Sequence, residues 1–209
     1  MSKELVIVFV KNIKLGKVKT RLAKTIGNQG AFEVYSDLVK VTEMATKDLS
    51  VDKRIYFSDA VVDTIWKNDF KTVQHGVDLG ERMKNAFKKG FEDGYERIVL
   101  IGSDLPDITA NHINKGLDTL KQNEVTFGPA EDGGYYLIGL SKMHNFVFDN
   151  KPWSETHLLE ETLSELKEND VTFTKLVTLN DIDTYEDLIA SKFYQSNTAL
   201  QEKIKQLHD

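Results

Sequence analysis

Two rhythms of apolar residues alternate along this chain. Short unbroken runs, Leu5 to Val10, Arg54 to Phe57 and Ile98 to Ile101, read as strands covered on both faces. Between them apolar residues return every third or fourth position. Ala31, Val34, Tyr35, Leu38, Val41 and Ala45 mark one long helix, and Leu79, Met83, Ala86, Phe87 and Phe91 a second, closed by Gly90 or Gly94. Thr109 is placed to cap a third, carrying Ile113, Leu117 and Leu120. Further strands are expected at Thr72 to Gln74, Val125 to Phe127, Tyr135 to Leu140 and Val171 to Leu179. Helices are expected over Leu158 to Leu166, over Tyr185 to Phe193 and in the polar tail. The alternation predicts a single α/β domain over residues 1–209, three-layered α/β/α, with a mainly parallel sheet.

In such a sheet, ligand groups stand at the carboxyl ends of strands. Asp104 follows the apolar run Arg97 to Ile101, in Ile101-Gly-Ser-Asp-Leu-Pro106, and is the first candidate. A second segment, Gly128-Pro-Ala-Glu-Asp-Gly-Gly-Tyr135, is a glycine-rich acidic loop running into a strand. It reads either as a plain turn or as a loop that also meets a ligand. Tyr135 and Tyr136 are adjacent on that strand and should face opposite ways, so at most one is expected to line a pocket.

Charge changes the picture at one place. The formal net charge of −6 argues against a nucleic-acid binder working through bulk electrostatics. Yet no Asp or Glu occurs between Leu5 and Phe32, where Lys11, Lys14, Lys17, Lys19, Arg21 and Lys24 all fall. A basic loop after the first strand of an acidic protein suits a small anion. Gly16 lets its backbone turn, Thr20 offers a hydroxyl, and Arg21 can grip two phosphate oxygens. The loop matches neither Gly-x-Gly-x-x-Gly nor Gly-x-x-x-x-Gly-Lys-Ser/Thr, which weighs against dinucleotide and P-loop binding.

The absence of cysteine excludes disulfides and thiolate chemistry. The five histidines lack metal-ligand spacing, and Ser103 lacks a nucleophile elbow. No stretch has the length of a membrane span, and the first apolar run reads as a strand rather than a signal peptide. A cytoplasmic protein is expected.

Five segments in order, Gly16-Lys-Val-Lys-Thr-Arg-Leu22, Asp78 to Met83, Gly102 to Pro106, Gly128 to Tyr135 and Asp181 to Leu188, resemble a bacterial family of GT-A-like transferases. That family lies in the nucleotide-diphospho-sugar transferase superfamily. Its members are commonly labelled glycosyltransferases, some in arsenosugar biosynthesis. The first loop also resembles that of phospholactate guanylyltransferase and, more distantly, that of the molybdenum-cofactor guanylyltransferase.

The resemblance implies a GT-A-like fold whose basic loop receives a nucleotide's phosphates, and a Mg²⁺ or Mn²⁺ ion held at Asp104. Here a single carboxylate replaces the usual Asp-x-Asp, so a second ligand is needed. Asp183 is the candidate, with Asp181 and Asp132 as alternatives. Lys11, Gly16, Lys17, Lys19, Thr20, Arg21, Gln74, Arg82 and Ser103 are assigned to the nucleotide. Glu131, Asp132, Gly133, Gly134, Tyr135 and Trp153 are assigned to an acceptor, with Asp104 and Asp132 as catalytic groups. Glu81 and Arg82 read equally well as helix-capping and ion-pairing residues, and Trp153 as core packing.

Three functions are compatible with this pattern. The first transfers a sugar from a nucleotide-sugar donor to a small hydroxyl-bearing acceptor. The second couples a nucleoside triphosphate to a phosphorylated small molecule. The third is a nucleotide sensor without chemistry.

Overall fold

The structure is a computed structural model and describes residues 3–207. Its strands are β1 (Glu4–Val10), β2 (Asp52–Phe57), β3 (Phe70–Val73), β4 (Arg97–Ile101), β5 (Val125–Pro129), β6 (Tyr135–Leu140) and β7 (Phe173–Lys175). They form one sheet in the order β3-β2-β1-β4-β6-β5-β7. Among these strands β6 alone is reversed, pairing antiparallel with both β4 and β5. The mainly parallel sheet expected from the apolar runs is therefore present.

The helices are α1 (Ala23–Lys47), α2 (Leu79–Glu92), α3 (Ala110–Thr119), α4 (Leu158–Glu168), α5 (Tyr185–Ala190), α6 (Lys192–Gln195) and α7 (Thr198–Gln206). Alternation along β1 explains the layers. Val6, Val8 and Val10 face Tyr35 and Val39 of α1, with Ile113 and Leu117 of α3 in the same cluster. Leu5, Ile7 and Phe9 belong to a second cluster with Met83 and Phe87 of α2 and Leu159 and Leu166 of α4. A third cluster packs Leu188, Leu200 and Ile204 of the C-terminal helices against Leu22, Ile26, Val34 and Leu38.

Local chemistry sets the boundaries. Asp78 caps α2 by accepting from Glu81 N–H at 2.8 Å, while the Glu81 carboxylate accepts from Val77 N–H at 2.7 Å. Glu81 is thus engaged in capping. Thr109 is the N-cap of α3, its N–H donating to His112 Nδ1 at 3.2 Å. The long first helix is interrupted at Gly27, where φ is 71°.

Two expected elements are broken. The strand foreseen over Val171 to Leu179 is regular only through Phe173–Lys175, because between the Phe127/Lys175 pair and the Ala130/Leu179 bridge this segment carries one residue more than β5 and bulges out of the ladder. Beyond that point the chain still follows β5, through Leu176 N–H to Phe127 O at 2.7 Å and Leu179 N–H to Pro129 O at 3.1 Å. The helix foreseen over Tyr185 to Phe193 breaks at Ser191. Its extended backbone lets its hydroxyl cap α6 by accepting from Tyr194 N–H.

Candidate active site

The carboxyl ends of β1, β4 and β5 and the entry to β6 share one edge of the sheet, and two cavities open there. The first, of about 380 Å³, is lined by Lys11, Val18, Lys19, Thr20, Arg21, Tyr35, Asp104, Ser154 and Asp183. The loop after β1 supplies its basic side chains. Its focus is Lys19, whose side chain is 5% exposed. The ammonium lies 3.2 Å from Asp104, 2.9 Å from Asp183 and 3.9 Å from Asp181. Arg21, well exposed, also reaches Asp183 at 3.4 Å.

Burial opposes the charge on Lys19, but the carboxylates of Asp104, Asp183 and Asp181 outweigh it and hold its pKa above the ordinary lysine value. Asp181 carries the reverse cost. Burial and then the neighbouring Asp104 charge push its carboxyl up to about 7, and Lys19 offsets only part of this. Beneath the cavity, Tyr35 Oη and Ser103 Oγ are hydrogen-bonded at 2.9 Å, and Lys11 N–H donates to the same phenol at 3.0 Å. Burial, with the Asp104 charge, pushes the Tyr35 phenol up to about 12. The pair fixes the backbone on either side of the site, from β1 across to Ser103.

The second cavity, of about 330 Å³, has an apolar floor of Phe9, Leu79, Met83, Leu100, Ile138 and Leu158, flanked by Tyr135, Tyr136 and Trp153. Asp104, Asp132, Asp181 and Glu155 supply its carboxylates. Asp104 and Ser154 line both cavities and so mark the boundary between them. The loop 130–134 is tied into this shape. Gly134 N–H donates to Asp132 Oδ1 at 2.9 Å, Gly133 N–H to Ala130 O at 3.2 Å, and Leu159 N–H to Gly133 O at 3.1 Å. Trp153 lies against the start of α2, so close that a Cβ at Gly80 would stand 2.5 Å from its ring.

Of the residues singled out in the sequence, Lys11, Lys19, Thr20, Arg21, Asp104 and Asp183 come together in the first cavity. Asp132, Gly134, Tyr135 and Trp153 come together in the second. Both tyrosines line it, contrary to expectation. Tyr135 packs on Phe127 on one face of the sheet and Tyr136 joins the cluster on the other, and the cavity wraps round the end of β6 between them.

Several residues stand apart. Lys17 and Glu131 are exposed, and Gly16 turns the loop at φ 73° beside Asn28. Ser103 is buried on Tyr35. Gln74 donates to Tyr56 O, and Arg82 Nε donates to Gly76 O while facing a third cavity with Arg54 and Phe70. Pattern reading missed Tyr35 and the floor residues Phe9, Leu79 and Met83.

The metal implied by the resemblance can be tested against these groups. Asp104, Asp181 and Asp183 offer hard oxygens of the kind Mg²⁺ and Mn²⁺ take, and all three face one positive charge. Their present spacing is that of an ammonium cage. Among the described residues no set of three or more His, Asp and Glu side chains is gathered as a ready-made metal site. The donor chemistry fits, with Lys19 standing at the focus. Among the described residues no helix is long and apolar enough to cross a membrane.

Comparison with known proteins agrees with this architecture. No curated protein matches the chain. The crystal structure of a "putative nucleotide-diphospho-sugar transferase" from Desulfovibrio desulfuricans G20 is 34% identical with a TM-score of 0.84, over 99% of both chains. Two solved structures share the fold at low identity. The inositol-1-phosphate CTP transferase from T. maritima is 15% identical with a TM-score of 0.54, over 98% of this chain and 96% of that one. A cytidylyltransferase from Leptospira borgpetersenii is 16% identical with a TM-score of 0.57, over 99% and 95%. The family model described as "Uncharacterized protein conserved in bacteria (DUF2064)" matches residues 42–155, more than half of the chain. The chain thus belongs to the DUF2064 family of bacterial proteins and has the nucleotide-diphospho-sugar transferase fold.

Proposed function

We propose that this protein is a transferase that takes a nucleotide-activated sugar and passes the sugar to a small hydroxyl-bearing acceptor, assisted by Mg²⁺ or Mn²⁺. The observation that carries the reading is the pair of cavities meeting at Asp104, one basic and one apolar and acidic. The similarity to the Desulfovibrio desulfuricans protein supports it.

In this reading Lys11, Lys19, Thr20 and Arg21 bind the donor's phosphates, Arg21 as a two-pronged clamp. Asp104 and Asp183 would hold the cation, with Asp181 alongside. A bound cation would offset charge on the leaving diphosphate. Lys19 would exchange its carboxylate partners for the donor's phosphate oxygens. The acceptor lies in the second cavity. Its hydroxyl oxygen bonds to the sugar carbon, the bond from that carbon to the diphosphate breaks, and the nucleoside diphosphate leaves. Asp132, anchored through one oxygen by Gly134 N–H, takes the hydroxyl proton with the other.

One observation favours a second reading, nucleotidyl transfer with release of pyrophosphate. Lys11, Lys19 and Arg21 gather in a single cavity, more positive charge than a diphosphate needs. Incubation with Mg²⁺, nucleoside triphosphates, nucleotide sugars and a pool of small alcohols and phosphate esters separates the two. Nucleoside diphosphate formed from a nucleotide sugar is the expected product. Pyrophosphate formed from a triphosphate would establish the second reading, and tight nucleotide binding with neither product would identify a sensor.

A further inference from the structure

The two cavities differ most in what they exclude. Lys11, Lys19 and Arg21 line the first. Among the described residues lining the second there is no Lys, Arg or His, and Asp132 and Glu155 stand at its mouth, both exposed. Neither of these two is needed to hold the cation at Asp104 and Asp183, so both stay turned to the cavity when a metal and a donor are bound. A phosphate entering here would meet like charge without a compensating cationic side chain, an arrangement that costs affinity and rejects wrong partners. The floor is apolar, and Trp153, Tyr135 and Tyr136 present aromatic surface. At about 330 Å³ the space suits one ring-sized body rather than a second nucleotide.

We infer that the acceptor is an unphosphorylated alcohol with an apolar or aromatic body, neutral or bearing a positive charge, and not a phosphate ester. This rests on the transferase reading for the role of the molecule, but the selectivity of the cavity can be measured without turnover. An ammonium on the acceptor would lie against Asp132 or Glu155 and the aromatic rings, a combination that favours cations. The body would cover the apolar floor between α2 and β6. Its hydroxyl would point past Asp132 towards Asp104 and Ser154, where the cavities join.

The test uses three probes of one shape and different charge: 2-phenylethanol, 2-phenylethylamine and 2-phenylethyl phosphate. Each is titrated into the full-length protein with Mg²⁺ present, following tryptophan fluorescence. The chain has two tryptophans, and Trp66 is buried in the core on one face of the sheet, so a signal lost in Trp153→Phe reports this cavity. The alcohol and the amine should bind at least about tenfold more tightly than the phosphate. In the double variant Asp132→Asn, Glu155→Gln the phosphate should gain and the amine should lose. Phosphate binding equal to or tighter than that of the alcohol would overturn the inference, as would a failure of all three probes to bind. Nucleotide binding and product formation are followed in the same samples. Charge selectivity without any donor use would remove the transferase reading while leaving the ligand class of the cavity standing.

Discussion

The loop after β1 and the loop between β5 and β6 reach the same edge of the sheet, and they are held in place by different means. The first is anchored at its start by Lys11 N–H on Tyr35 and by the buried Asn12, which bonds Ser58, Asp59 and Ala60, and beyond that its contacts are made by charged side chains, Lys19 with three aspartates and Arg21 with Asp183. The second is fixed through its backbone, with Ala130, Glu131, Gly133 and Gly134 all making hydrogen bonds within the loop or to neighbouring segments. Ion pairs can be exchanged for a ligand's phosphates at little structural cost, whereas a backbone-tied turn holds its shape whatever is bound. The stretch from Lys19 to Arg21 is built to trade partners and the loop between β5 and β6 to stay still.

Five substitutions probe that contrast. Asp104→Asn should have the largest effect, because this carboxylate belongs to both cavities and to the Lys19 cage. Turnover is expected to fall by about 10³-fold while the melting temperature stays near that of the unaltered protein. Wild-type rates in this variant would remove the cation assignment. Gly133→Ala tests the rigid loop. This residue has φ 90°, and a Cβ there would collide with the Thr156 carbonyl oxygen. A loss of about 2–4 kcal/mol in unfolding free energy is expected, read by denaturant titration. An unchanged midpoint would mean that the turn is free to adjust.

Lys19→Ala and Arg21→Ala should each weaken donor binding by about 1–3 kcal/mol, measured by calorimetry. The buried Lys19 should lie towards the upper figure and the exposed Arg21 towards the lower. If both variants bind donor normally, the loop is a solvated face. Gly16→Ala is the mild counterpart of Gly133→Ala. The backbone is again left-handed, at φ 73°, but the nearest atoms to an added Cβ belong to the Asn28 side chain, at 3.6 Å and beyond. About 1 kcal/mol is expected, from backbone strain alone. Equal costs at the two glycines would abolish the distinction between the loops.

Much of the architecture was legible because continuous apolar runs can satisfy both faces of a covered sheet and helical spacing can satisfy one. That logic placed β1, β4, α2 and α3, and it located Asp104 at a strand end. It failed where the chain is constrained by its partner rather than by its own pattern. The extra residue between Lys175 and Leu179 that cuts β7 short shows only in the pairing with β5, not in the pattern of Val171 to Leu179. The basic side of the candidate site was legible where charge density is unusual, which is why Lys19 and Arg21 could be named together, whereas Asp183 was named only through the family resemblance. The apolar floor was hidden, because Phe9, Leu79 and Met83 repeat with the same spacing as residues buried throughout the core. Gln74 and Arg82, assigned to the nucleotide through the resemblance, lie outside both cavities and pin nearby backbone at Tyr56 and Gly76.

The reversed strand β6 has an effect on how this chain could be remodelled. Since β6 starts rather than finishes at the working edge, Tyr135 and Tyr136 arrive first and the strand then carries the chain away to Leu140 and the turn beyond. That turn, Ser141 to His144, sits at the remote side of the molecule, held by Ser141 Oγ on Asn123 O and by His144 on Glu124. Inserted peptides, affinity handles or new chain termini grafted there would be separated from both cavities by the full length of a strand.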